Sequence, residues 1–479
     1  MLNRNYITLD GNEQTTYNGQ SIAFFVVLTI ILTLLVYSKG LLDKISEKKL
    51  LIIFSLAYLI GGLYLIFNVD STLRADADYV YGAAKELNKG DYSALKLGNY
   101  IARYPYQLGM VTYDRILTIF CKSPRILFIA NLLWTLIINF FLYKIVRLYT
   151  KDNHVLNKLT IILSYMFLPQ FFFILFAYGT LPGFGCTILT VYFGLKLIKE
   201  DFKKLNLCMF FLFASLAILL KNNYMIAIIA IAIITILHYC QNHNKYILLI
   251  ACGLILTLFL PQKIITTSYE IASHTKLQNE TPKILWIAMG MQESPSANGW
   301  YNGYVYHIPD EEGHDTAKTS TRGKQYISER LNFFKQNPSY TFNFYLNKIR
   351  ATWNDPMFQS VWSGPLSSEK QQVHTKLLKN IYSGGSVYSV LAFISNLVVV
   401  IILLFSLIHI LFDKANIELY HLFSIVFLIG GFLFMILWEA KSQYVYMFIF
   451  CLIPNSVQGI HYIQTKLNNK IGNKTRAHI

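Results

Sequence analysis

Long apolar runs alternate with short polar segments along most of the chain, and that alternation sets the expected architecture. A membrane-crossing helix needs about 20 predominantly apolar residues. Runs of this kind are read at Ser21–Tyr37, Leu50–Phe67, Arg125–Val146, Leu159–Phe176, around Cys186–Leu197, at Leu205–Leu220, Tyr224–Tyr239 and Tyr246–Leu260, then at Val387–Phe412, Tyr420–Trp438 and Val445–Ile463. The pattern predicts an all-α polytopic membrane protein with about eleven transmembrane helices.

Two stretches break the alternation. Leu108–Cys121 is apolar but short, and Asp114 and Arg115 interrupt it. It is expected to lie as an amphipathic helix on the outer membrane surface. Residues 261–385 hold no run long enough to span and are rich in Tyr, Trp, Asn, Gly and Ser. Structureless loops beyond about 15 residues are uncommon, so this is expected to be a large extracytoplasmic loop or domain with a function. The chain then divides into 1–67 with two spans, 68–125 as a first outer loop with juxtamembrane helices, 126–260 with spans three to eight, 261–385, and 386–479 with three spans and a basic tail.

Composition agrees with this division. The chain is 54% hydrophobic and 14% charged, against about 25% charged in soluble domains. Its net charge of +16 would suit nucleic acid, but the cations cluster in short loops between apolar runs. Lys39, Lys44, Lys48 and Lys49 form one such loop, and Lys144, Arg147, Lys151 and Lys158 another. That is the positive-inside pattern, so the partner is the bilayer and not nucleic acid. It places the protein in the cell membrane with the N-terminus outside and the C-terminal tail in the cytoplasm. The six cysteines are scattered with no CxxC pair and read as small hydrophobes. The polar first 19 residues and the run behind them do not form a cleavable signal.

In this orientation every sizeable polar region faces one side: the loop 68–107, the turns near Tyr178 and Lys221, the stretch 261–385, and the turn Glu439–Gln443. A site there, at the bilayer boundary, suits a substrate with a lipid tail and a polar head. The stretch Asp70–Gly109 concentrates Asp70, Asp76, Asp78, Glu86 and Asp91, five of the chain's 26 acids. Acids are scarce in such a chain, although a solvated loop also carries them. Asp76 and Asp78 are the candidate catalytic residues. On a helix, residues two apart point to different faces, so one of the pair is expected to enter a site. A carboxylate beside apolar surface can serve as general base, because partial desolvation raises its pKa. An Asp-x-Asp pair can hold a divalent metal, but nothing else indicates one, and no cofactor is expected. His307 and His314, with Asp310 and Asp315 nearby, are read as a solvated loop and not as metal ligands.

The stretch from Asp76 through Ala83-Ala84 to Gly90-Asp91-Tyr92 resembles the GT-C superfamily of membrane glycosyltransferases, which includes the protein O-mannosyltransferases and the lipid A aminoarabinose transferases. The likeness to uncharacterised Gram-positive members is carried by Tyr104-Pro105-Tyr106-Gln107-Leu108-Gly109, Trp286-Ile287-Ala288-Met289-Gly290-Met291, Gly299-Trp300-Tyr301-Asn302-Gly303, Thr352-Trp353-Asn354-Asp355-Pro356 and Trp438-Glu439-Ala440-Lys441-Ser442-Gln443-Tyr444. The chain departs from the Asp-Glu pair of the aminoarabinose transferases. The resemblance implies a GT-C-like fold and transfer of a sugar, with inversion, from a polyprenyl-phosphate donor to an extracytoplasmic cell-envelope glycan or lipid acceptor. It implies that Asp76 is the base. Cations should hold the leaving phosphate, and the outward-facing candidates are Lys221, Lys441, Arg103 and Arg350, with Arg74 behind them. Cations at span ends also snorkel to the interface.

Tyr104, Gln107, Glu293, Trp300, Tyr301, Asn302 and Glu439 are the candidate substrate-binding residues. Aromatics beside amides and acids suit a sugar, which offers hydroxyls and an apolar C–H face. A packed, interface-seated loop would hold the same residues. Two other functions compete. A lipid-linked glycan flippase or transporter should carry charges inside its spans and repeat symmetry. A polysaccharide polymerase or ligase would rest on cations in the large loop and not on a first-loop acid.

Overall fold

A computed structural model of the chain describes residues 3–9, 13–37, 44–150, 153–199, 203–243, 245–277, 280–366 and 372–476. Lys39 and Lys151, two of the basic-loop cations, lie outside these residues. The protein is an all-α polytopic membrane protein. Among the described residues, seven helices are long and apolar enough to cross a membrane: Glu47–Phe67, Arg125–Tyr149, Thr180–Lys199, Asn222–Gln241, Ile250–Ser273, Ser386–Phe412 and Leu419–Leu437. A pair bent by 50°, His154–Met166 with Leu168–Leu175, makes an eighth. Ile22–Leu35 and Lys204–Leu220 are shorter apolar helices. The final expected span is Tyr446–Phe450 followed by Ile453–Arg476.

Several boundaries differ from expectation, and proline marks three of them. The turn expected near Tyr178 passes into helix already at Thr180, with Pro182 in the first turn of Thr180–Lys199. The span expected to end at Leu260 continues as Leu260–Ser273, with Pro261 in its first turn. A proline costs nothing there, since first-turn N–H groups have no intrahelical partner. Pro169, by contrast, follows the break between Met166 and Leu168, where a proline cannot continue the preceding helix. Phe167 fills that bend against Phe358 and Phe450, at ring separations of 5.9 and 5.6 Å.

The stretch 261–385 is mostly helical, with helices at Ile284–Gly290, Tyr304–Glu311, Thr316–Gln336, Pro338–Trp353 and Lys376–Tyr382. Asp315 starts the longest of them by accepting the N–H groups of Ala317 and Lys318 at 2.9 and 3.0 Å, the usual role of an N-cap acid. An antiparallel hairpin, Asn3–Ile7 with Thr15–Gly19, was not expected from the sequence. It docks through Thr15 N–H to the Ser296 carbonyl at 3.3 Å and through buried Ile7.

Contacts sort the polar segments to two ends of the bundle. At one end, Glu47 accepts from Tyr143 at 3.0 Å and pairs with His154, while Asn153 meets His461 at 3.1 Å. At the other end, the first loop, the hairpin, the stretch 284–382 and the segment Trp438–Tyr444 gather. Arg103 joins two of them, donating to Asp310 at 2.7 Å.

Candidate functional site

Asp76 lies in the first turn of helix Ala75–Leu87. The exposed N–H groups of a helix start favour a carboxylate there. Ala77, Val80, Tyr81, Ala83, Ala84 and Leu87 form the buried stripe of this helix, and Asp76 continues it, since Val80, Ala83 and Leu87 follow at i+4, i+7 and i+11. Asp76 itself remains open to solvent, yet protein crowds it closely enough for desolvation to raise its carboxyl pKa. The Lys441 ammonium opposes that rise most, followed by the Tyr100 and Tyr178 hydroxyls and Lys221. An accessible but surrounded acid lines a recess. Asp78 lies about 200° further around the helix, on its exposed side. Asp76 lies within electrostatic reach of Tyr100, Tyr104, Tyr106, Tyr178, Tyr301 and Tyr444.

The tyrosines are held in place. Tyr100 and Tyr178 share a hydroxyl contact of 2.9 Å, and the Gln107 amide donates to the Tyr178 hydroxyl. Tyr79 stacks on Tyr100 with centroids 5.1 Å apart. Gly179 then turns the chain with φ +72°, and a Cβ there would sit 2.0 Å from the Leu220 carbonyl oxygen. That contact sets the Tyr178–Thr180 turn directly against Lys221. Helix Lys204–Leu220 stops where Lys221 becomes extended, at φ −158° and ψ 115°. The Lys221 ammonium donates to the Tyr178 carbonyl at 3.2 Å and to Thr180 Oγ1 at 3.0 Å, and lies 4.6 Å from the Tyr178 ring centroid. Burial pulls its pKa down to about 7, against the pull of Asp76 and Glu439.

The second wall follows helix Leu419–Leu437. Glu439 N–H donates to the Trp286 carbonyl at 3.1 Å and Ala440 N–H to the Gly299 carbonyl at 3.0 Å, so this segment is clamped by the stretch 284–300. Trp286 stacks on Trp438 at 6.3 Å. Lys348, 1% exposed, donates to the carbonyls of Gly290, Ile436 and Trp438 at 2.7, 2.9 and 2.7 Å. Three acceptors require three N–H donors, which only the ammonium supplies, and the end of a helix favours a cation. Glu439 is 4% exposed, and its Oε1 has no hydrogen-bond partner among the described residues. Burial pushes its carboxyl up to about 7, with Lys441, Lys348 and a Tyr444 hydrogen bond opposing and Glu13 adding to the rise.

Lys441 pairs with Glu13 of the hairpin, at 2.7 Å to Oε1 and 3.0 Å to Oε2. Gln359 donates to the same Oε1 at 2.6 Å. Phe358 and Gln359 both take left-handed backbone angles, φ +49° and +55°, which are strained for such residues. Asp355 braces them, accepting from Met357 N–H at 3.0 Å, Gln359 N–H at 2.7 Å and Ser442 Oγ at 2.9 Å.

Of the residues expected in the site, Asp76, Lys221, Lys441, Glu439, Tyr104 and Tyr301 gather, and Gln107 orients Tyr178. The others are engaged elsewhere. Arg103 is a staple between the first loop and helix Tyr304–Glu311, donating to Gly98 O at 2.8 Å and to Asp310 at 2.7 Å, with the Tyr306 ring 4.2 Å away. His314 meets the same Asp310 at 3.5 Å. Glu293 pairs with Arg330 at 2.9 Å, and Asn302 donates to Gln292 at 2.7 Å. Trp300 is fully buried in the core. Arg350 acts on Tyr17 of the hairpin, and Arg74 donates to the carbonyls of Trp362 and Gly364 at 2.5 and 2.8 Å.

Sequence reasoning missed Glu13, Lys348, Gln359 and Tyr100. Tyr178 was seen only as a turn residue, although an aromatic before a glycine at a span end was a usable signal. The gathered groups supply a proton acceptor, two cations for an anion, and a ring of hydroxyls and aromatic faces. No curated protein matches the sequence. Over residues 2–457 it matches the family model described as conserved hypothetical integral membrane protein, and the chain belongs to that family.

Proposed function

We propose that this protein is a GT-C-type membrane glycosyltransferase that moves a sugar from a polyprenyl-phosphate donor to a hydroxyl of an extracytoplasmic glycan or lipid. The supporting observation is one juxtaposition: an accessible acid, Asp76, flanked by Lys221 and Lys441 at the end of the bundle that collects the long polar segments. In the proposed step the acceptor hydroxyl gives its proton to Asp76 as its oxygen bonds to the anomeric carbon. The bond from that carbon to the phosphate oxygen breaks, and its electron pair leaves with the lipid phosphate. Lys441 and Lys221 would stabilise that charge. Tyr301, Tyr104 and Tyr100 would offer the sugar aromatic faces and hydroxyls.

The 50° bend in the span His154–Leu175 is a feature that a lipid-linked glycan transporter would also show. Pro169 already accounts for it. The deciding experiment reconstitutes the purified protein in nanodiscs with a panel of radiolabelled polyprenyl-phosphate sugars and vesicle-borne acceptors. Label transfer that Asp76→Asn abolishes supports the transferase. Movement of intact donor across a vesicle membrane without any transfer would overturn it in favour of the transporter.

A further inference from the structure

The recess contains an acid that the proposed reaction does not use. Glu13 presents both carboxylate oxygens to the Lys441 ammonium, 2.7 and 3.0 Å away. The pair is well shielded, with side chains 14% and 12% exposed. Gln359 adds a third donor contact at 2.6 Å. This is the coordination that two phosphate oxygens would take, since both are oxyanions on an ammonium with an amide N–H beside it.

Three carboxylates therefore share the recess: Asp76, Glu439 and Glu13, all within electrostatic reach of Lys441. A phosphate brought to the same ammonium would meet their combined repulsion. Asp76 is fixed on helix Ala75–Leu87, which packs against helix Leu108–Phe120, and Glu439 is clamped by its own backbone to Trp286. Glu13 sits on a two-stranded hairpin, a unit that is marginally stable by itself. It also takes a left-handed backbone angle, φ +52°, so its placement is strained and depends on the contacts its side chain makes. Of the three acids, it is the one whose departure unwinds no helix and breaks no backbone clamp.

We propose that Glu13 is a tethered counter-ion: it occupies the anion position on Lys441 in the ligand-free protein, and a phosphate group displaces it, releasing the hairpin from the site. This rests on the reading of Lys441 as a phosphate ligand. The hairpin thereby reports occupancy of the site, and an empty recess keeps its cation neutralised.

The test titrates undecaprenyl phosphate into the full-length protein in nanodiscs, comparing the parent, Glu13→Gln, Lys441→Gln and the double variant. Hydrogen exchange over residues 3–19 is followed in parallel. The expected results are a dissociation constant about fivefold lower in Glu13→Gln, no such gain when Lys441→Gln is also present, and faster hairpin exchange in the parent once phosphate is added. Inorganic phosphate is titrated beside it; an exchange seen with either anion supports the displacement and shows whether the lipid chain is needed. Equal or weaker binding in Glu13→Gln, with binding lost in Lys441→Gln, overturns the counter-ion while leaving the phosphate site standing. Binding indifferent to Lys441→Gln overturns both. Hairpin exchange unchanged by phosphate overturns the displacement.

Discussion

The Lys348 ammonium donates to the Trp438 carbonyl at 2.7 Å, one residue ahead of Glu439. With its bonds to Gly290 and Ile436, it fixes the end of helix Leu419–Leu437. Lys348→Met keeps the side-chain length but leaves three carbonyls facing an apolar group. It is expected to cost about 2–4 kcal/mol, read as a lower unfolding temperature in detergent. An unchanged midpoint would mean that these bonds contribute little.

Asp76 and Asp78 separate by substitution. Loss of a general base typically slows a reaction by about 10²- to 10⁴-fold. Asp76→Asn is expected to lose transfer activity on that scale while still folding and binding the donor. Asp78→Asn, on the exposed side of the same helix, is expected to stay within about twofold of the parent, as surface substitutions usually do. Comparable losses in the two variants would refute the assignment.

The pH profile of kcat/KM reads the free protein. Activity should rise as Asp76 loses its proton, at a pH above the ordinary carboxylate range because desolvation raises its pKa. It should fall above about pH 7, where Lys221 loses the charge proposed to hold phosphate. Lys221→Arg keeps a cation at every pH, so its basic limb should move upward by at least a unit. A basic limb that stays in place would dissociate Lys221 from the profile.

Glu439 carries the opposite consequence for stability. Its folded pKa, about 7, lies above its ordinary value of 4.5, so between those values the folded state holds the proton more tightly. Stability from this group should therefore fall as pH rises from about 4.5 to 7, then level off. Glu439→Gln should flatten that slope in unfolding midpoints measured across the range. A slope that survives the substitution comes from other groups.

Gly179 is the last point of attack. Alanine there meets both φ +72° and a 2.0 Å approach to the Leu220 carbonyl oxygen. Gly179→Ala should cost about 1–3 kcal/mol and, by moving Tyr178 away from Lys221, lower activity more than it lowers expression. Parent-like activity would show that the turn tolerates the shift.

The apolar runs were legible in the sequence because a bilayer demands them, and each expected run is mostly helical; of the eleven expected spans, seven helices and one bent pair among the described residues are long and apolar enough to cross. Asp76 was legible because an acid beside a membrane span stands out against so few others. The stretch 284–382 was not legible as helix. Thr316–Gln336 is mostly polar, with charges around its surface, and gives no apolar run to count. Arg103 looked like a free cation because its partner Asp310 lies 207 positions away. Glu13 was invisible for the same reason, being 428 positions from Lys441. Lys348 looked like any surface lysine, since its acceptors are backbone carbonyls that only the assembled fold brings together.

The Lys348 clamp bears on how the chain is completed during synthesis. Two of its three acceptors, Ile436 and Trp438, leave the ribosome some ninety residues after the lysine itself. Until helix Leu419–Leu437 has entered the bilayer, Lys348 has only Gly290 to hold, and neither Glu439 nor Lys441 exists to close the recess. The site is thus finished among the last events of biogenesis, and a nascent chain holds Asp76 long before it has either partner on the opposite wall.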